Sequence, residues 1–575
     1  MQNASTPLVV ILAVIDDWGF NDVSYHNRLN ANDLHMPAID YLASTGVILE
    51  NHYVNMACSP TRSSLLTSRY QIHTGLQHSV IEECQPLALE PEAGPTIAEA
   101  FKQLGYSTAM YGKWHLGYYR EAVCPWRRGF DEFVGFLSSA EDHFNHSIIG
   151  TCPADVDAGP GWQCGAHLGR ACLRATDCSS GLDLRRSPPT EGSSTADLTA
   201  ERHEYSTRLY SRLTVERIEK HADAVRAEQT AGKRAGKTGL FVYYSPNAVH
   251  VPLEAPAEWI ARFPHIEAAD RRVYAAMLGV VDEGIGNISV ALHRTGLYAS
   301  SVIVTSTDNG GVFEHAGASN FPLRGGKATL FEGGLRGVAF LHSPLLLLGG
   351  AGRVYRGLMG VVDWAPTLLH IATNGDDALV SRLLPDSDGV SHWAAIASNS
   401  SDYPRTELLH NIDPLGALKP GSPRPPVVVE SGSAPPPAPS AERYARAAIR
   451  VGEWKLLVGF AGIPGDANVA RVGWAPAPYS PPVPPMPPPP PPPSYCRVRT
   501  SSTEGTNIFL FNVVDDPNER CDLSLAHPEM VAMLMARLDE HNRSAVPARF
   551  PPSEPELATP CAHEVGGQAM WGPWH

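Results

Sequence analysis

Up to about residue 375, short unbroken apolar runs alternate with segments whose apolar positions recur every three or four residues. "PLVVILAVI" (7–15), "YSTAMYG" (106–112), "GLFVYYS" (239–245) and "SVIVTST" (301–307) are β-branched or aromatic runs of strand length. Between them, "MPAIDYLAST" ends at Gly46, "PTIAEAFKQL" stops before Gly105, and "YAAMLGVVDEGIGNISVALHRTG" has helical length with a terminal glycine. Strands alternating with helices predict an open, largely parallel α/β sheet covered on both faces.

The texture changes in two places. Residues 151 to about 205 are polar and Cys-rich, and read as an insert in a catalytic unit spanning 1–400. From 401 to 575, proline-rich stretches at 414–440 and 476–493 interrupt "YARAAIRVGEWKLLVGF" and "NIFLFNVVDDP", which read as strands, and "HPEMVAMLMARLDEHN", which reads as a helix. This predicts a smaller C-terminal α+β domain whose proline tracts form extended, solvated polyproline segments.

With 45 Lys and Arg against 60 Asp and Glu, the net charge is -15. That balance excludes a nucleic-acid binder, which needs a basic face to displace counterions from phosphates, so an anionic ligand must be drawn in by a local basic cluster. No apolar run appears long enough to span a bilayer, and no transmembrane anchor is expected. "PLVVILAVIDDWGF" lacks a basic leader and a cleavage site, so any secretion signal is expected outside this chain. Cys152, Cys164, Cys172 and Cys178 contain no Cys-x-x-Cys pair, favouring a disulfide-stapled loop over a zinc site. Sequons at Asn3, Asn145, Asn287, Asn399 and Asn542 fit the secretory pathway, with a lysosomal or extracellular destination.

In such sheets a ligand sits beyond the carboxyl ends of the strands. Polar groups follow the predicted strands one after another there: Asp16 and Asp17, Lys113 and His115, His250, then Asp308 and Asn309. Taken singly, each has an ordinary reading as a cap, a turn or a solvated charge. Together they place hard oxygen ligands suited to calcium or magnesium beside Arg62, Lys113 and Lys327. Cys58 opens the helical run "SPTRSSLLTSRY", whose N-terminal amides favour an anion, and Pro60 fits its first turn.

Cys58-Ser59-Pro60-Thr61-Arg62 with Leu65-Leu66-Thr67 resembles the Cys-x-Pro-x-Arg signature of the type I sulfatases. "GKWHLG", "DNGG", "PLRGGKATLFEGGLRG" and "LFNVVDDPNERCDLS" follow in the order that family shows, and the resemblance is strongest to its arylsulfatase B, or N-acetylgalactosamine-4-sulfatase, group. It implies an alkaline-phosphatase-like, mixed but mostly parallel sheet flanked by helices, and hydrolysis of a sulfate ester on a sulfated sugar or aryl substrate.

The resemblance also implies that a separate formylglycine-generating enzyme oxidises Cys58 to Cα-formylglycine. One hydroxyl of the aldehyde hydrate attacks sulfur and the second permits release of the sulfate, which a serine could not do. Asp16, Asp17, Asp308, Asn309 and residue 58 are implied as ligands of one calcium ion. Asp308 is also implied as acceptor of the nucleophile's proton. Arg62 holds the hydrate, Lys113 and His115 orient hydrate and sulfate, Lys327 neutralises a sulfate oxygen, and His250 protonates the leaving oxygen. The chain departs from the family at Ser68, where glycine usually follows Leu-Leu-Thr. Two alternatives stand beside this reading: a phosphate mono- or diester hydrolase of the same superfamily, and a non-catalytic binder of sulfated glycans.

Overall fold

A computed structural model describes the chain apart from residues 1–7, 28–33, 150–162, 165–171, 174–179, 188–200, 232–238, 313–316, 347–351, 417–443, 463–495, 497–507, 555–556 and 559–570. The expected disulfide loop between Cys152 and Cys178 and both polyproline tracts lie essentially outside the described residues.

Nine strands form the main sheet: β1 (Val9–Ile15), β2 (Val47–Leu49), β3 (Ser107–Gly112), β4 (Glu132–Gly135), β5 (Arg185–Ser187), β6 (Leu240–Ser245), β7 (Ser301–Thr307), β8 (Ala339–His342) and β9 (Arg353–Tyr355). Their spatial order is β5-β4-β3-β6-β1-β7-β8-β2-β9. From β4 to β7 all neighbours are parallel, while β5, β8 and the β8–β2 pair are antiparallel. The sheet is therefore mixed and mostly parallel.

β1 shows why it lies at the centre. Val9, Ile11, Ala13 and Ile15 pack on one face against helices α1 (Pro37–Thr45), α4 (Ser206–Thr230) and α5 (Ala269–Thr295). Val10, Leu12 and Val14 pack on the other with α2 (Cys58–Thr67), α3 (Ile97–Gln103) and α6 (Trp364–Ala372). Both faces are buried, so the strand reads as a continuous apolar run. Each of these Val, Leu and Ile side chains contributes about 1.5–3 kcal/mol by leaving water.

Helix α5 differs from one sequence expectation: it is long and apolar enough to cross a membrane. It is instead a core helix, with Met277, Leu278, Val280 and Val281 buried against the sheet's α4 layer.

A second sheet is wholly antiparallel: β10 (Glu407–Asp413), β11 (Arg446–Val451), β12 (Trp454–Gly459) and β13 (Ile508–Asn512) in that order. Helix α7 (Pro528–Asn542) covers it with Val531, Leu534, Met535 and Leu538. The disulfide Cys496–Cys521 lies in this part of the chain.

Candidate active site

Parallel strands deliver their following residues to one edge. Asp16 and Asp17 follow β1, Lys113 follows β3, Asp308 and Asn309 follow β7, and His250 lies five residues beyond β6. Gly112 makes the crowding possible. It holds φ 109°, and a Cβ there would stand 1.9 Å from the Ser245 carbonyl oxygen, so only glycine lets the ends of β3 and β6 meet. The Lys113 N–H then donates to Ser245 O at 2.7 Å.

Cys58 is the first residue of α2, and every residue of that helix is buried. Its polar side chains are matched locally: Thr61 Oγ1 accepts from the Asn55 N–H at 2.9 Å, and Ser59 Oγ accepts from the Ile81 N–H at 3.0 Å. A polar helix can be buried only if its hydroxyls find such partners. Cys58 Sγ lies 3.8 Å from Asp16 Oδ1. Burial, reinforced by Asp308, pushes its thiol up to about 12.

Around Cys58 three carboxylates face three cations. Lys113 Nζ pairs with Asp16, Lys327 Nζ lies 2.7 Å from Asp17 Oδ1, and Arg62 Nη2 lies 2.8 Å from Asp308 Oδ2. Burial alone would raise Asp16 and Asp17; Lys113 with His250 and Arg62 in the first case, and Lys327 with His250 in the second, together outweigh it and hold both below the usual carboxylate range. His250 Nδ1 donates to Val251 O at 2.7 Å, which leaves Nε2 facing Asp17 Oδ2 at 3.6 Å. Burial and Lys327 depress its pKa. His115 donates from Nε2 to Ile81 O at 2.9 Å, and burial with Lys113 keeps it well below the usual imidazole value. Its Nδ1 is then a buried acceptor with no partner.

All ten anticipated residues thus converge, and the structure adds detail that the sequence did not supply. Asp16, Asp17, Cys58 and His250 present ligand atoms within 4.8 Å of one another, so His250 stands with the potential metal ligands. Asn309 donates Nδ2 to Asp17 Oδ1 at 2.6 Å, and its Oδ1 is buried without a partner. An orphaned amide oxygen among three carboxylates fits a hard divalent cation. Tyr243 and Ser245 were missed: Arg62 Nη1 donates to their hydroxyls at 3.3 and 2.6 Å. Their signal is two polar atoms at alternate positions near the end of an otherwise buried strand.

The Sulfatase family model matches residues 8–374, and the chain belongs to that family. It is a sulfuric ester hydrolase. Mouse arylsulfatase J is 37% identical over 568 residues, covering 99% of this chain and 80% of that protein. Rat N-acetylgalactosamine-6-sulfatase is 25% identical over 379 residues, covering 64% of this chain and 63% of that one. Among solved structures, Ps i-CgsB in complex with k-i-k-neocarrahexaose shares the fold with a TM-score of 0.66 at 22% identity, covering 96% of each chain. PsFucS1 sulfatase from Pseudoalteromonas sp. gives 0.62 at 19%, covering 96% of this chain and 93% of that one.

Proposed function

We propose that the protein releases sulfate from a sulfated sugar, with residue 58 acting as formylglycine rather than as cysteine. One observation carries this reading: Cys58, which opens the Cys-x-Pro-x-Arg run, is buried at the centre of the cluster with Sγ 3.8 Å from Asp16 Oδ1 and within 4.8 Å of ligand atoms of Asp17 and His250. A hydrated aldehyde at that position supplies two hydroxyls, one to attack sulfur and one to permit release.

Asp16, Asp17, Asp308 and Asn309 are the residues that would hold calcium, with residue 58 beside them. When bound, the ion supplies positive charge that offsets the carboxylates and polarises a sulfate oxygen. Arg62, fixed by Asp308, Tyr243 and Ser245, orients residue 58. His115 Nδ1, an acceptor without a partner, takes a hydrogen bond from a hydroxyl of that residue. Lys113 and Lys327 bind the sulfate oxygens, and both are already fixed by carboxylates, so little reorganisation is required on binding. His250, when protonated on both ring nitrogens, keeps Nδ1 on Val251 O and delivers the Nε2 proton to the leaving oxygen, giving an alcohol and sulfate for each water consumed.

The relatives support a carbohydrate ester as substrate, N-acetylgalactosamine sulfate among the candidates, by their printed names alone. The sequons at Asn145, Asn287, Asn399 and Asn542 are all exposed, which supports passage through the secretory pathway, lysosomal or extracellular, and maturation there by a formylglycine-generating enzyme. The division into units 1–400 and 401–575 belongs to the same reading.

The test is a comparison of leaving groups. His250→Ala is expected to cut sulfate release from sugar sulfates by roughly 10²–10⁴-fold and from nitrophenyl sulfate by far less, because a nitrophenolate needs little protonation. Equal losses on both substrates would refute the assigned role.

A further inference from the structure

The loop that carries Lys327 is gripped from two sides. Toward the nucleophile, the Lys327 N–H donates to Gly311 O at 3.3 Å and the Ala328 N–H to Met56 O at 2.7 Å, two residues before Cys58. Toward the C-terminal sheet, the Leu330 N–H donates to Ala461 O at 2.8 Å, and Arg324 Nη1 donates to Glu519 O at 3.2 Å.

Behind the loop lies a closed charge cluster. Lys455 Nζ, on β12, stands 2.9 Å from Glu332 Oε1 and 2.8 Å from Glu519 Oε1. Glu519 Oε2 accepts from the Glu332 N–H at 2.7 Å, and the Tyr53 hydroxyl donates to Glu332 Oε2 at 2.7 Å. All three charged side chains have no solvent-accessible surface.

Such a cluster is poor value as a source of stability, since desolvating three charges offsets most of their attraction, and apolar residues of similar size would serve as well. Its distinguishing property is directional: one ammonium on a rigid strand fixes two carboxylates, and one of these carboxylates binds the backbone of the loop itself.

We propose that Lys455 and Glu519 are positioning residues for Lys327, holding the Lys327 ammonium at its place beside Asp17 through Glu332 and the loop backbone. The C-terminal sheet thereby contributes to catalysis without touching substrate. The proposal rests on the reading of Lys327 as the cation that neutralises a sulfate oxygen.

A double-mutant cycle on the full-length mature enzyme tests it, with kcat and KM measured on nitrophenyl sulfate and inorganic sulfate as competitive inhibitor. Lys327→Ala is expected to lower kcat/KM on the order of 100-fold, and Lys455→Met about 10-fold with weaker inhibition by sulfate. The double variant is expected to lose no more than Lys327→Ala alone, because Lys455 acts only through Lys327. Losses that multiply would overturn the proposal and leave Lys455 a purely structural residue. Leu534→Ala, at a fully buried position in the core of the same domain, is the control: it is expected to lower Tm, with any effect on activity independent of Lys327. If Lys455→Met does not fold, Glu519→Gln replaces it in the same cycle, since the shape is kept and the Lys455–Glu332 pair remains. Wild-type activity in Lys327→Ala would reject the sulfate-binding reading and this proposal with it, a result distinct from multiplying losses.

Discussion

Two clusters of buried charge lie on opposite sides of the Lys327 loop, and they are finished differently. In the junction with the C-terminal sheet every charged group has an ionic or backbone partner. Burial is opposed there by Lys455 together with Arg336 and Arg450, which hold Glu332 below the usual carboxylate range, whereas burial and the neighbouring Glu332 push Glu519 above it. At the strand ends, by contrast, ion pairs coexist with an unpaired Asn309 Oδ1 and an unpaired His115 Nδ1. A buried polar atom without a partner costs about 1–3 kcal/mol, so an Asn309 Oδ1 left open beside the Asp17 carboxylate suits something that binds there. The junction is held by ion pairs and backbone bonds, whereas the strand ends add an amide oxygen and an imidazole nitrogen that can take a ligand.

The comparison predicts unequal responses to equally small changes. Cys58→Ser is expected to cut turnover of nitrophenyl sulfate by roughly 10³-fold or more while shifting Tm by no more than about 2 °C, as kinetics and calorimetry on the same samples would show. Retained turnover in the serine variant would place the chemistry elsewhere.

Next in size is the support of Arg62. Ser245→Ala removes its 2.6 Å partner but leaves Tyr243, the Lys113 carbonyl and Asp308. Stability is expected to fall by about 1 kcal/mol in urea titrations and kcat/KM by roughly 3- to 10-fold.

Away from both clusters, Glu407 on β10 is held by Arg537 and His541 of α7, at 2.6 and 2.8 Å. Burial alone would raise its pKa; these two partners draw it down to about 2. A depressed carboxylate stabilises the fold above its unfolded value of 4.5, and the contribution is lost as pH falls from there towards 2. Glu407→Gln is therefore expected to cost roughly 1 kcal/mol at pH 7, discounted for partial exposure, and the gap from wild type should close on acidification.

The smallest effect is expected at Ser68. It caps α2 in the left-handed region with φ 59°, which explains why glycine is usual there. Its hydroxyl donates to Val362 O at 2.7 Å, offsetting the strain. Ser68→Gly is expected to change stability by less than about 1 kcal/mol, because relief of strain and loss of that bond oppose each other.

Much of this was legible in the chain. β1, β6 and β7 announce themselves because strands buried on both faces need unbroken apolar runs, and the polar residues just beyond them then share one edge by topology alone. Helix α5 was visible from its period and its terminal glycine. The short strands β2, β5 and β9, of three residues each, carry too few positions for a pattern and depend on the partners they meet. Ser245 and Lys455 were hidden for another reason: a lone hydroxyl or ammonium in a strand shows nothing until the residue it faces is known. His250 read as a proton donor, and only the fold shows how closely it stands to Asp17.

The most direct test of the account is the state of residue 58 in active protein made in a host that contains a formylglycine-generating enzyme. The tryptic peptide from Leu29 to Arg62 contains no other cysteine, so its mass distinguishes thiol from aldehyde. The account predicts an aldehyde at position 58 that reacts with a hydrazide, in proportion to specific activity across preparations. A fully active preparation whose position 58 is entirely thiol would contradict it.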